Sequence, residues 1–340
     1  MKRLLSLTCL LALFATSCSD PDSRAENFFQ KGKGELNKGE YANAVYYYSQ
    51  AIESRDTFAS AYNNRAIAYQ ELDRYDEALQ DYNRALQLNP AMEEAYYGRA
   101  NAHLELGNYY AALSDLEWLE RRQQDNALVY FGMGTAETML KRYDRALRNL
   151  NRTLELEPDN ARAWVNRGTV NYYLGNMEEA ESDLRKGIDM DPKIGLGHNT
   201  LALVNLEKGD TTAAVESITS ALRIAPFDPY FLNNRGYIRL VSGNLDEGRE
   251  DVEESLRLNG TNAWAFRNLG LYHVKAGNYA RAIEILNKAE SLEANLPLLN
   301  VYLGRAYLGN NDTDKACAAF EKSAKQGEEA GNTALQQYCG

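Results

Sequence analysis

The sequence predicts an all-α solenoid, and three observations carry the prediction. Small residues recur every 34 positions at Ala44, Ala78, Ala112, Ala146, Ala180, Ala214, Gly248, Ala282 and Ala316. A second ladder runs 12 positions ahead, at Gly32, Ala66, Ala100, Gly134, Gly168, Ala202, Gly236, Gly270 and Gly304. Glycine falls between the helices at Gly39, Gly107, Gly175, Gly209, Gly243 and Gly277, where a helix end turns left-handed. Two small phases per period mean two closely crossing helices per repeat, and an unbroken period means that each repeat stacks on its neighbours.

Composition agrees. The 340 residues are 44% hydrophobic, enough for a continuous core, and carry 23 tyrosines against nine phenylalanines. Tyrosine suits a thin two-layer stack, because its ring packs while its hydroxyl reaches water. The formal net charge is −11, which repels phosphate backbones and excludes nucleic acid as a natural partner.

The N-terminus reads as an address. Lys2 and Arg3 precede an apolar run from Leu4 to about Ala15, then small residues and Cys18. The run is too short to span a bilayer of about 30 Å, but its order is that of a secretory signal. Ala15-Thr16-Ser17-Cys18 resembles the lipobox of bacterial lipoproteins, which implies removal of residues 1–17 and lipidation of Cys18. The alternative is an ordinary signal peptide cut at the same place, since Ala15 and Ser17 also fit a small-x-small site. Cysteine parity favours the lipoprotein: with Cys18 lipidated, Cys317 and Cys339 are left to pair in an oxidising compartment. Residues 18–24 are then a short linker, and the first repeat starts close to the membrane.

Nine repeats follow, at 25–58, 59–92, 93–126, 127–160, 161–194, 195–228, 229–262, 263–296 and 297–330, with 331–340 as a terminal cap. In the second repeat, Ala59 to Leu72 reads as an amphipathic helix with Tyr62, Ala66 and Tyr69 on one stripe. Asp73-Arg74-Tyr75 makes the turn. Asp76 to Leu88 carries Ala78, Tyr82 and Ala85 until Asn89-Pro90 stops it. Asp73, Lys141 and Asn311 replace the turn glycine in three repeats, which predicts looser turns there. The closing proline of Pro90, Pro158, Pro192 and Pro226 is missing elsewhere, which predicts irregular joints after the third and seventh repeats. Ala330, Ala334, Leu335 and Tyr338 give the terminal segment an apolar stripe able to cover the last repeat, clipped by Cys317 and Cys339.

Tyr62, Ala66, Tyr69, Tyr75, Ala78, Tyr82, Ala85 and Pro90 resemble the tetratricopeptide repeat, and the resemblance extends from Ala25 to about Gln326. It implies a right-handed superhelix whose first helices line a concave groove. By the same resemblance the groove receives Phe29, Tyr97, Phe131, Tyr172, Tyr173, Tyr230, Tyr237 and Trp264. Its early repeats contribute Glu26, Glu71, Glu94 and Glu105, and its late ones Arg267, Lys275 and Arg305. Such a groove implies a protein or peptide partner, with Trp264, Arg267, Lys275 and Arg305 receiving an acidic segment or a chain-terminal carboxylate.

Catalysis is not expected. His103, His198 and His273 are the only histidines and read as satisfied core residues. The cysteines lack the spacing of a zinc site, and no phosphate loop or cofactor motif occurs. The functional expectation is a non-catalytic scaffold, lipid-anchored in a bacterial envelope (outer membrane before inner). The alternative is a secreted or periplasmic binding module without lipid, for a peptide or glycan.

Overall fold

The computed structural model describes residues 20–340, so the signal segment and Cys18 lie outside the described residues. The described residues form 19 helices and no strand, in two compact bodies divided between Leu140 and Lys141. The first body holds α1 (Pro21–Asn37), α2 (Tyr41–Ser54), α3 (Ala59–Gln70), α4 (Tyr75–Leu88), α5 (Glu93–Glu105), α6 (Tyr109–Glu120) and α7 (Ala127–Met139). The second begins with α8 (Tyr143–Leu156), α9 (Ala161–Leu174), α10 (Met177–Met190), α11 (Gly195–Glu207), α12 (Thr211–Ile224) and α13 (Pro229–Val241). It continues with α14 (Leu245–Leu258), α15 (Ala263–Lys275), α16 (Tyr279–Leu292), α17 (Leu299–Gly309), α18 (Thr313–Lys325) and α19 (Glu329–Tyr338). Within each body a helix packs on its sequence neighbours, and the first helices of successive repeats also pack on each other. α1 starts at Pro21, so residues 21–24 are helical rather than linker; proline pre-sets the first turn.

The small-residue ladders mark where paired helices cross. Every alanine of the first ladder is fully buried. The two rungs of one repeat meet: a Cβ on Gly236 would lie 2.9 Å from the Gly248 carbonyl oxygen. On Gly168 it would lie 3.0 Å from the Ala180 oxygen and 2.8 Å from Leu184 Cγ. Gly168→Ala gains about 1 kcal/mol of helix propensity but must push two backbones apart, a net loss of about 1–2 kcal/mol. Denaturant unfolding of the variant tests this; a gain in stability would show that the crossing has slack.

The turns form a third ladder. Asp73, Lys141 and Asn311 adopt φ of 57°, 59° and 61°, the left-handed conformation that Gly39, Gly107, Gly175, Gly209, Gly243 and Gly277 take at the same step. Asp73 N–H donates to the Gln70 carbonyl and Arg74 N–H to the Tyr69 carbonyl, both at 2.9 Å. The glycine turn at Gly39 bonds in the same way, at 3.0 Å. The looser turns expected there do not occur: the packed helices impose the conformation at the residue's cost. Of the two irregular joints expected, the one after the third repeat occurs: α6 stops at Glu120 and Arg121 continues at φ −61°, whereas α4 and α8 run two residues further, to Leu88 and Leu156, and end on residues of more extended backbone. The one after the seventh does not: α14 runs to Leu258, and the Asn262 side chain caps α15 by accepting from Ala265 N–H. A further break follows the eighth repeat, where Leu298 stands at φ 61° behind Pro297, and α17 starts late.

α19 lies where the first helix of a further repeat would stand, packed on α17 and α18. Ala334 is buried against Phe320, and Leu335 and Cys339 close the same cluster. Cys317 and Cys339 form a disulfide with Cα atoms 5.8 Å apart.

Candidate groove and its polar interior

In the second body three of the predicted groove residues, Tyr172, Tyr237 and Trp264, gather around Arg267. Far from facing solvent, Arg267 is only 4% exposed, which corrects its assignment as an open groove cation. Its guanidinium lies 4.7 Å from the Trp264 ring and 5.1 Å from that of Tyr237. Nε and Nη2 both donate to Asn268 Oδ1, at 3.1 and 2.7 Å, and Nη1 donates to the Pro297 carbonyl at 2.9 Å. These partners are neutral, so two aromatic faces and three hydrogen bonds stand in for a counter-ion. Burial pushes the Arg267 pKa down and raises the phenols of Tyr172 and Tyr302 well above their ordinary value. The sequence pattern failed here because the same place in other repeats holds Asn63, Tyr97, Val165 or Asn233, which share no one environment.

A line of asparagines leads to this centre. Asn234 Nδ2 donates to Asn199 Oδ1 at 2.9 Å, and Asn233 Nδ2 to Asn234 Oδ1 at 3.3 Å. Asn268 Nδ2 then donates to Asn233 Oδ1 at 2.8 Å, and its own Oδ1 accepts from Arg267. Two of these bonds, Asn234 to Asn199 and Asn268 to Asn233, cross from one repeat to the one before, so the repeats are joined by polar as well as apolar contacts.

The other predicted groove residues divide by exposure. Tyr173 and Tyr230 are more than half exposed and Trp264 is 38% exposed, whereas Tyr237 packs into the core around Leu240 and Leu271. Tyr172 is half-buried with its ring 5.5 Å from that of Tyr173. Lys275 and Arg305 are exposed. In the first body, Phe29 packs between Tyr48 and Phe58, with centroids 5.7 and 4.8 Å away, and Tyr97 joins the core around Leu116. Phe131 is half-buried.

A polar pairing that the sequence reading missed recurs in four repeats. Arg65, Arg99, Arg167 and Arg235 each grip an aspartate 16 positions on: Asp81, Asp115, Asp183 and Asp251, all by two N–H donors at 2.6–2.8 Å. Arg65, Arg99 and Arg167 also donate to Ser49, Asn83 and Asn151, 16 positions back. Each of these three arginines therefore ties its own second helix to the second helix of the repeat before. The spacing was there to be read.

Two of the three histidines are not satisfied as expected. His103 and His273 each enclose an Nδ1 without a hydrogen-bond partner, and burial lowers both pKa values, which keeps the rings neutral. His198 Nε2 lies 3.0 Å from the Pro192 carbonyl. Among the described residues no cluster of side chains could hold a metal ion, and no helix is long and apolar enough to cross a membrane.

Profiles of the tetratricopeptide repeat match residues 59–92 and, in overlapping spans, 97–331. An uncharacterized protein of Methanocaldococcus jannaschii is 37% identical over 54 residues, 16% of this chain. That match spans 63% of the relative's length. Among solved structures, the Cut9–Hcn1 hetero-tetramer of the APC/C superposes with a TM-score of 0.63 at 16% identity, over 93% of this chain and 76% of that one. A tetratricopeptide repeat protein of Parabacteroides merdae superposes with a TM-score of 0.62 at 19% identity, over 73% of this chain and 98% of that one. These likenesses concern the fold.

Proposed function

Because this chain belongs to the tetratricopeptide repeat family, whose members generally serve as scaffolds rather than catalysts, we propose that it is a non-catalytic scaffold holding another protein at a bacterial envelope membrane. The observation that carries the reading is the set of exposed rings on the predicted groove positions Tyr173, Tyr230 and Trp264. Rings of this kind, left outside the core, are what recognition of a peptide or loop uses. The family fold makes a protein partner the natural occupant. Lys275 and Arg305 add two exposed cations in a chain of net charge −11, and so favour an acidic segment or a chain end.

Lipidation of Cys18 supplies the anchor in this reading, with the outer membrane as its site. The Cys317–Cys339 disulfide supports an exported protein, because such bonds persist in oxidising compartments. Cys18→Ser followed by fractionation is expected to move the protein from the membrane to the soluble periplasm. Retention in the membrane would rule out the lipid anchor, whereas a wild-type chain already soluble would favour the secreted module that Ala15 and Ser17 also permit. Capture from solubilised envelope tests the scaffold: Tyr230→Ala with Trp264→Ala is expected to lose the partner, at about 2 kcal/mol or more per anchor. A partner held equally by wild type and double variant would remove these rings from the binding surface.

A further inference from the structure

α17 and α19 leave between them a cleft of about 770 Å³ in the second body. Arg305 on α17 and Glu329 on α19 both line it, and the Arg305 side chain is exposed. Leu308, Ala330 and Ala334 give it an apolar wall, and Thr333 and Gln337 add exposed polar groups along the same helix. The volume suits a few residues of extended chain or a small ligand.

We propose that this cleft binds the carboxy-terminal residues of a partner chain, and does so only while the Cys317–Cys339 disulfide holds α19 in place. This deepens the scaffold reading and rests on it. A chain end offers what the cleft lacks: one carboxylate for the Arg305 guanidinium, backbone N–H groups for the Glu329 carboxylate, and a side chain for the apolar wall. An internal acidic run fits less well. It would bring several negative charges to a single arginine, next to Glu329 and on a chain that is itself acidic.

The dependence on the disulfide follows from how α19 is held. Its first turn is fixed by Glu328, which accepts from Leu298 N–H at 2.6 Å and from Ser323 Oγ. Its last turn, with Gln337 and Tyr338 lining the cleft, ends at Cys339 and is tied to α18 through Cys317. Reduction leaves this last turn to the packing of Ala334 and Leu335 beside Phe320, and a helix of ten residues has little stability of its own in water, so the end that forms the wall is loosened.

The test is calorimetric titration of the full chain with two probes: an N-acetylated tetrapeptide ending in leucine with a free carboxylate, and the same peptide as its carboxamide. The free acid is expected to bind at least about tenfold more tightly than the amide. Arg305→Gln, at an exposed side chain, is expected to erase that difference, and Gln337→Ala to weaken the acid. Reduction with a phosphine, or Cys317→Ser with Cys339→Ser, is expected to weaken the acid about tenfold or more while circular dichroism shows the other helices intact. Equal affinities for acid and amide, no binding of either at millimolar concentration, or an unchanged Arg305→Gln variant would overturn the cleft. Equal binding by oxidised and reduced protein would overturn the dependence on the disulfide. Envelope capture separates the two readings: a partner retained by Arg305→Gln leaves the scaffold standing and removes the cleft, and a wild type that captures nothing removes the scaffold.

Discussion

Replacing Asp251 with alanine is expected to cost about 3 kcal/mol, more than the same change at Asp81, Asp115 or Asp183, each of which serves one arginine. Asp251 is buried, and its carboxylate serves two arginines: Arg235 through Nε at 2.8 Å and Nη2 at 2.6 Å, and Arg239 through Nη1 at 2.6 Å. Removing it leaves Arg235 without a carboxylate and Arg239 with only the longer contact to Glu247, at 3.6 Å, in a partly closed space. Breaking a fully buried pair costs about 3–5 kcal/mol; the arginine side chains here are about a quarter exposed, which places the loss at the lower end. Asp81→Ala is the internal comparison. Asp81 pairs with Arg65 alone, and burial pushes its carboxyl up against the opposing pull of Arg65, so its net contribution is smaller. Repeat arrays unfold by neighbouring parts, so hydrogen exchange across α13 and α14 is the proper measure, with denaturant unfolding beside it. A loss under about 1 kcal/mol, or one no larger than that of Asp81→Ala, would mean that water takes over from the carboxylate.

Removing the disulfide is expected to cost about 3 kcal/mol by the chain-entropy argument for a separation of 22 residues. The loss should be local. Amides of α19 and the facing turns of α18 are expected to exchange faster in Cys317→Ser with Cys339→Ser, while those of α9 to α12 keep their protection. Uniformly faster exchange throughout the second body would show that the clip supports the whole stack, and no change would show that Ala334, Leu335 and Phe320 hold the helix unaided.

The crossings were legible because a residue as small as Gly168 or Ala180 recurs at a fixed step for one reason: another backbone passes there. The turns were half legible. Glycine announces a left-handed residue, but Asp73, Lys141 and Asn311 take the same conformation because the helices on both sides leave no other. Leu298 could not be read at all; its strain follows from where α17 must start to meet α15 and α16. Around the groove, composition named the rings but not their burial. Tyr237 and Trp264 hold equivalent roles in the pattern, yet one seals the core and the other stays partly outside. Arg267 was misplaced because its environment comes from residues of four different repeats, Tyr172, Tyr237, Trp264 and Pro297. The cleft beside α19 has no sequence signal, since it depends on how a terminal helix outside the period settles.

Crossings, left-handed turns and arginine–aspartate grips are all counted in the same step of 34 residues. One residue inserted within a helix would rotate everything beyond it by about 100° and take three kinds of contact out of phase at once. Growth or shrinkage of such a chain is thus quantised: duplication or excision of a whole unit preserves every contact downstream, and smaller changes are tolerated only at joints. The joint before α17, where Leu298 already departs from the backbone of the other joints, is where a small insertion is expected to cost least.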